Sequence, residues 1–247
     1  MDKYRDIPAF REYKEIRVIY TTAEWNRWPC NETGETAAYD RLASLFGTET
    51  SRIVRIPQTH TDKVRVIEEE NAGEGVVRIA EEGYDGMITN VIGIALCTVE
   101  ADCVPVYLYD PVKRVIGMIH SGWKGCAGCI AEHAVALMQD KYGTDPADVI
   151  AAFGPCICGD CYEVGEELID PFRENFNEIT DVIFKNKGNG KYLLNLTGAI
   201  RHSLLRAGLA GRNIHESPAC TFETKDLCSW RRDKDKLARM LTGIMLV

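Results

Sequence analysis

Apolar residues along this chain fall into short blocks between polar turns, and the blocks differ in period. Residues 16–20, Ile-Arg-Val-Ile-Tyr, read as a strand. Residues 21–36 are turn-rich and yield no assignment. Ala37, Leu42, Leu45 and Phe46 recur at near-helical spacing, which predicts a helix over 37–46 ended by Gly47. Short strands are expected at 53–56 and 64–67. The acidic stretch 68–82 reads as a solvated loop with a poor strand at 75–80. The centre has the clearest pattern. Residues 91–99 form a nine-residue apolar run, read as a buried strand. Two more strands, 104–109 and 115–120, flank a turn at Asp110-Pro111. An amphipathic helix follows over 125–142, with Ile130, Ala134, Leu137 and Met138 on one face and Gly143 after it. Residues 149–153 return as a strand. Helices are predicted at 164–176 and 196–207, the latter with Gly208 as its C-terminal cap. Residues 185–191 read as a Gly/Asn/Lys loop. The apolar tail 237–246 reads as a docked helix.

Buried strands mixed with helices predict an α/β or α+β architecture. There is no internal repeat or linker, so residues 1–247 read as a single domain. The composition, 45% hydrophobic and 27% charged over 247 residues, suffices for one large domain or two small ones. No stretch approaches the roughly 18 apolar residues of a membrane span. The first six residues are too polar for the apolar core of a signal peptide. Ten cysteines fall short of a disulfide scaffold. The expectation is therefore reduced thiols in a cytoplasmic protein. The net charge of −8, with no long basic run, argues against a nucleic-acid partner. A small anionic substrate remains compatible, because a local Arg/Lys cluster can outweigh the net charge. Oligomeric state is not readable.

Three separated segments carry the candidate chemistry: Pro57-Gln58-Thr59-His60, Glu100-Ala101-Asp102-Cys103 and Ile119-His120-Ser121-Gly122-Trp123. Each sets one donor of the kind zinc prefers in a short polar turn beside an apolar run. Two imidazoles and a thiolate, with a fourth position left for water, would make a catalytic zinc site. Taken singly, each donor has an ordinary reading: a hydrogen-bonded histidine, or a buried inert cysteine. His120 is the strongest of the three, because ligands favour the carboxyl edge of strands in open α/β sheets. Cys126-Ala127-Gly128-Cys129 places two thiols at an expected helix start, where the dipole would lower a thiol pKa. The choice there lies between a redox pair and packed small residues. Cys156, Cys158 and Cys161 crowd three thiols into six residues, either as a second metal or cluster site or as local choices in a loop. His133, His202 and His215 read as structural.

The wider contexts resemble a known family. They are Gln58-Thr59-His60, Asp85-Gly86-Met87-Ile88-Thr89-Asn90, Ala101-Asp102-Cys103-Val104-Pro105-Val106, His120-Ser121-Gly122-Trp123-Lys124-Gly125, Gly154-Pro155-Cys156-Ile157 with Cys161-Tyr162-Glu163-Val164-Gly165, and Ser229-Trp230-Arg231-Arg232-Asp233. In this order they resemble the YfiH-like laccase-domain family, from about residue 37 onward. Members are also called purine nucleoside phosphorylases, polyphenol oxidases or peptidoglycan editing factors. The resemblance implies a compact α/β fold of mixed sheets flanked by helices, with a metal held by His60, Cys103 and His120.

Three departures fall on the substrate side. Tyr20-Thr21-Thr22-Ala23-Glu24-Trp25 lacks the Arg and glycines of the family's usual Ser-Thr-Arg-x-Gly-Gly loop. The usual His-Ala-Gly-Trp-Arg is His-Ser-Gly-Trp-Lys here, which keeps a cation but loses the bidentate guanidinium fork. Lys234-Asp235-Lys236-Leu237 replaces a Gly-Thr-Thr-Gly turn.

The resemblance implies phosphorolysis of adenosine, inosine and methylthioadenosine, together with adenosine deamination. In deamination an activated water attacks purine C6, as in other zinc deaminases. In phosphorolysis, phosphate approaches the ribose while positive charge develops on the sugar. Lys124, Arg231 and Arg239 are the candidates to hold phosphate. Trp123 is a candidate either to stack on a base or to pack against the core. Asp102 is a candidate either to orient a ligand histidine or to act as a general acid/base. A cysteine-dependent hydrolase or peptidoglycan editing factor acting on peptidoglycan precursors, with Cys103 as nucleophile and His120 as base, is the second reading. A copper polyphenol oxidase is the third. Two His and one Cys are reminiscent of blue copper, but five histidines with no His-x-His pair leave too few ligands for a trinuclear cluster.

Overall fold

A computed structural model describes residues 4–25, 37–217, 219–235 and 238–247. In chain order the elements are β1 (Tyr4–Asp6), β2 (Ile16–Thr21), α1 (Ala37–Phe46), β3 (Ile53–Arg55), β4 (Val64–Val66), β5 (Gly86–Thr89), β6 (Ala95–Glu100), β7 (Val104–Asp110) and β8 (Val115–Ser121). Then come α2 (Trp123–Ala127), α3 (Ile130–Tyr142), β9 (Ile150–Phe153), β10 (Glu163–Gly165), α4 (Ile169–Phe176), α5 (Thr180–Ile183), β11 (Phe184–Gly188) and β12 (Lys191–Leu194). The last are α6 (Leu196–Arg206), β13 (Ile214–His215), α7 (Trp230–Asp233) and β14 (Met240–Leu246).

The strands form three sheets, ordered β1-β2-β14-β6-β3, β13-β9-β7-β8-β5-β4 and β10-β12-β11. The two larger sheets are mixed: β14 runs antiparallel to β2 and β6, while β3 is parallel to β6 and β4 to β5. Alternation along the strands assigns each face. In β8, Ile116 and Met118 join Tyr20, Leu96 and Ile244 in the core between the two larger sheets. Val115 and Ile119 point the other way, against Ile130 and Val135 of α3, Phe172 of α4 and Ile200 of α6. The outer face of the five-stranded sheet packs Ala95, Cys97 and Met245 on Leu42, Ala43 and Phe46 of α1. The result is four layers, helix–sheet–sheet–helix, a mixed α/β architecture as the apolar pattern predicts. Among the described residues no helix is long and apolar enough to cross a membrane.

Several expected elements are corrected. The apolar tail is not a helix: Met240–Leu246 is the central strand of its sheet, buried at every position. A strand covered on both faces loses its alternation, and its apolar run then resembles a buried helix. Leu237, where that helix was expected to begin, lies outside the described residues, as do residues 26–36 of the turn-rich segment. The single helix over 125–142 is two helices, α2 and α3, broken where Cys129 takes a left-handed φ of 58°. The helix expected at 164–176 is delayed: its first residues make β10, and α4 starts at Ile169. The 185–191 loop is a hairpin of β11 and β12, whose turn uses positive φ at Gly188, Asn189 and Gly190. The strand expected at 75–80 reduces to one bridge between Glu74 and Arg78. The 91–99 run enters the sheet only at Ala95, after a turn at Gly93 with φ of 79°.

Candidate functional site

His60, Cys103 and His120 come from three segments at one end of the sheet pair. His60 follows β3, Cys103 sits between β6 and β7, and His120 lies next to the end of β8. One buried carboxylate organises two of them. Asp85 is fully buried just ahead of β5. It accepts the backbone N–H groups of Thr59 (3.2 Å), His60 (3.0 Å) and Thr61 (2.7 Å), and also the Thr61 hydroxyl (3.0 Å). These bonds wrap the His60 turn around the carboxylate and hold His60 in a left-handed conformation, φ 62°. The same carboxylate lies 2.7 Å from His120 Nδ1. That bond fixes the ring, so Nε2 is the nitrogen turned toward the cluster. Burial alone would raise the Asp85 pKa, but the bonds from His120 and Thr61 hold the carboxyl down at about 2.

One donor atom from each of His60, Cys103 and His120 lies within 4.8 Å of the other two. The imidazoles meet edge to face, their centroids 4.8 Å apart. Cys103 Sγ is 4.0 Å from His60 Nε2. Burial opposes ionisation of Cys103, yet His120 and then His60 pull its thiol down to about 6. Gly122 makes room for this grouping. A Cβ there would sit 2.7 Å from His60 Cδ2 and 3.2 Å from Cys103 Sγ. This accounts for the small residue between His120 and Trp123.

Glu100, the last residue of β6, was missed as a site residue. It is fully buried, and its carboxylate makes no well-formed hydrogen bond among the described residues, the Thr98 hydroxyl being the neighbour that favours its charged form. Its Oε2 lies 3.8 Å from His120 Nε2. Burial pushes its pKa up to about 8. A carboxylate buried in this way is costly unless a cation or proton completes it. Two imidazoles, one thiol and this carboxylate together fit a divalent metal of zinc type. Asp85 and Glu100 both lie in the segments quoted above, but their roles depend on contacts between strands distant in sequence.

The other candidates lie on segments that adjoin these residues in the chain or in the sheet. Asp102 takes a left-handed φ of 86°. Its carboxylate accepts the Thr221 hydroxyl and the Arg231 backbone N–H, both at 2.6 Å. Asp85 is the carboxylate that orients His120, and Asp102 ties the Thr221 and Arg231 loops to the turn that carries Cys103. Trp123 and Lys124 open α2, with Lys124 exposed and its Nζ 5.7 Å from the Trp123 ring centre. The Arg231 guanidinium lies over the Tyr162 ring at 5.1 Å and donates to the Glu163 carbonyl. Arg239 adjoins β14, where Met240 pairs with Glu100, and its guanidinium donates to the carbonyls of Asp235 (3.2 Å) and Ala238 (2.7 Å).

The remaining histidines lie elsewhere. His133 Nδ1 is 3.0 Å from the Asp62 carbonyl, His202 Nε2 is 2.7 Å from Glu178, and His215 lies in β13. Cys126 and Cys129 are buried, and burial raises both thiols. Cys129 Sγ accepts from Arg206 at 3.1 Å, and Cys126 packs against the Leu196 carbonyl. The pair belongs to the core.

The chain has clear relatives. A family described as multi-copper polyphenol oxidoreductase laccase matches residues 34–247. Identity is 34% over 206 residues to a Bacillus subtilis (strain 168) protein named purine nucleoside phosphorylase YlmD, covering 82% of this chain and 74% of that one. It is again 34% over 206 residues to a protein named adenosine deaminase RL5 from an unknown prokaryotic organism, covering 82% and 78%. The crystal structure of the Bacillus licheniformis hypothetical protein YfiH superposes with a TM-score of 0.89 at 29% identity, covering 100% of both chains.

Proposed function

This chain belongs to the multi-copper polyphenol oxidoreductase laccase family, and from that premise we propose that it is a zinc-dependent purine nucleoside phosphorylase that also deaminates adenosine. The observation that carries the reading is the convergence of His60, Cys103 and His120 beside the buried carboxylate of Glu100. The relatives named for purine nucleoside phosphorylase and adenosine deaminase supply the substrate class.

His60, Cys103 and His120 would hold the metal. When bound, zinc supplies Lewis acidity and a water acidic near neutral pH. Asp85 holds the Nδ1 side of His120, keeping Nε2 available as a donor. Glu100, 3.8 Å from that nitrogen, can hold or release a proton at Oε2 as substrate enters. Lys124, Arg231 and Arg239 are the cations available to phosphate, and Trp123 offers a ring to the purine. Lys124 is a point charge on a flexible stem, so it would recognise phosphate with less directional precision than an arginine.

Only two of the five histidines lie at the site, too few for a trinuclear copper cluster. The lowered Cys103 thiol favours the cysteine hydrolase as the second reading. One experiment separates these readings: metal content by mass spectrometry, with product analysis on adenosine plus phosphate, for wild type and Cys103→Ala. The expected result is one zinc bound through Cys103, so that wild type holds one equivalent more than the variant, with adenine or inosine formed by wild type and not by Cys103→Ala. Metal-free wild type with a rapidly alkylated Cys103 overturns the proposal and supports the hydrolase.

A further inference from the structure

A second group of soft donors lies on the loops behind Asp102. Cys158, Cys161, Cys220 and Glu223 place one donor atom each within 4.8 Å of one another. Two tight turns deliver them. In the first, the N–H groups of Cys161 and Tyr162 both donate to the Cys158 carbonyl at 3.1 Å, folding Cys158-Gly159-Asp160-Cys161 back on itself. In the second, Thr224 N–H donates to the Cys220 carbonyl at 3.0 Å. The turns face each other across a bridge between Cys156 and Cys220. The Cys158 N–H points at Cys220 Sγ, 3.3 Å away. An amide aimed at sulfur favours a thiolate there. The three thiols are free, half-buried, and lie at the protein surface with an exposed carboxylate at their rim.

We infer that Cys158, Cys161, Cys220 and Glu223 form a second metal site, taking a single zinc ion that staples the 156–162 loop to the 219–224 loop. The donor set decides the metal. Thiolates select zinc over magnesium or calcium, and four protein ligands make a closed, structural centre rather than an open catalytic one. The spacing decides the nuclearity. Thiolates around one tetrahedral zinc stand roughly 3.8 Å apart, from a Zn–S bond of about 2.3 Å. Donors already within 4.8 Å need only a small contraction to reach that geometry. They stand too close together to grip the separate irons of a cubane cluster.

The staple has a task in the fold. Thr221, next to Cys220, donates its hydroxyl to Asp102 at 2.6 Å. Ile157, next to Cys158, donates its N–H to the Asp102 carbonyl at 3.0 Å. Tyr162, next to Cys161, lies under the Arg231 guanidinium. An ion joining the three cysteines would fix the loops that hold Asp102 and Arg231 without itself reaching the cluster at His60.

The test removes the first site so that the second is read alone. Cys103→Ala protein, purified under reducing conditions and stripped of metal, is titrated with cobalt(II), and absorbance reports thiolate coordination. The expected result is about one equivalent of tetrahedral cobalt with sulfur-to-metal charge-transfer bands, displaced by zinc. Cys158→Ser and Cys220→Ser in that background should each weaken uptake at least about tenfold. Glu223→Gln, at an exposed position, should weaken it while leaving the circular dichroism of the apoprotein unchanged. Zinc should also protect three thiols from alkylation, located by mass spectrometry. Absence of thiolate bands in Cys103→Ala, or uptake indifferent to Cys158→Ser, Cys220→Ser and Glu223→Gln alike, overturns the inference. Because Cys103 is absent throughout, neither result depends on the nucleoside activity.

Discussion

Asp85 carries more of the candidate site than any ligand does. It accepts three backbone N–H groups, one hydroxyl and one imidazole, and it is fully buried. Replacing one carboxylate oxygen by an NH₂ group reverses the polarity of a position that only accepts. Asp85→Asn should therefore lower zinc affinity by roughly 10–100-fold, the usual cost of disturbing a ligand's supporting hydrogen bond. Competition with a chromophoric chelator measures this, and an unchanged affinity would remove Asp85 as the positioning residue. At this scale the sequence is readable where chemistry is local. His60, Cys103 and His120 could be singled out because each is a recognisable donor in a polar turn beside an apolar run, within a motif of the family. Asp85 and Glu100 could not be given roles. A carboxylate becomes a His120 anchor, or lacks a well-formed hydrogen bond, only through the strands that bury it. Asp102 shows the same limit from the other side: its carboxylate is engaged by Thr221 and Arg231, both more than a hundred residues away.

Among the elements, β14 departs furthest from the pattern read along the chain. Its seven residues are buried between β2 and β6, and neighbouring side chains enter the space at Gly243. A Cβ there would meet Cys97 Sγ at 2.8 Å, with the Leu96 carbonyl oxygen and Phe46 Cζ each at 3.0 Å. Gly243→Ala gains about 0.4–1 kcal/mol from a stiffer unfolded chain. Overpacking of a filled core costs about 1–3 kcal/mol. The steric cost wins, so the variant should lose stability, read as a lower urea midpoint at unchanged slope. A midpoint equal to or above wild type would show that α1 yields to the added methyl. The helices predicted at 37–46 and 196–207 match α1 and α6 closely, because each has one apolar face and a glycine stop. The helix expected over 125–142 fails at Cys129, where a left-handed residue that is not glycine gives no warning.

Across the whole molecule, the proposed metal would tie the two larger sheets together. His60 lies on the crossing from β3 of one sheet to β4 of the other, Cys103 on the crossing from β6 to β7, and His120 belongs to β8. Binding to the native state alone stabilises by about 4 kcal/mol at a thousandfold excess over Kd. In a chain of this size each kcal/mol moves Tm by about 2–4 °C. Zinc acting through this site should thus raise Tm by roughly 8–16 °C in wild type beyond any rise in Cys103→Ala, as measured by scanning calorimetry. Equal shifts in the two proteins would place the stabilisation elsewhere. The α/β class was legible from the apolar blocks, whereas the sheet order was not, because β2 and β14 pair across more than two hundred residues and no local pattern records such a partnership. That order also governs how copies of the chain meet. The seven-residue strands β7, β8 and β14 lie inside their sheets, while the outermost strands β1, β3 and β4 have three residues and β13 has two. The longer rim strand β11 carries Lys185 and Lys187 and a bulge. Among the described residues a second copy thus finds little exposed ladder to zip onto, which leaves few templates for fibre growth by strand addition.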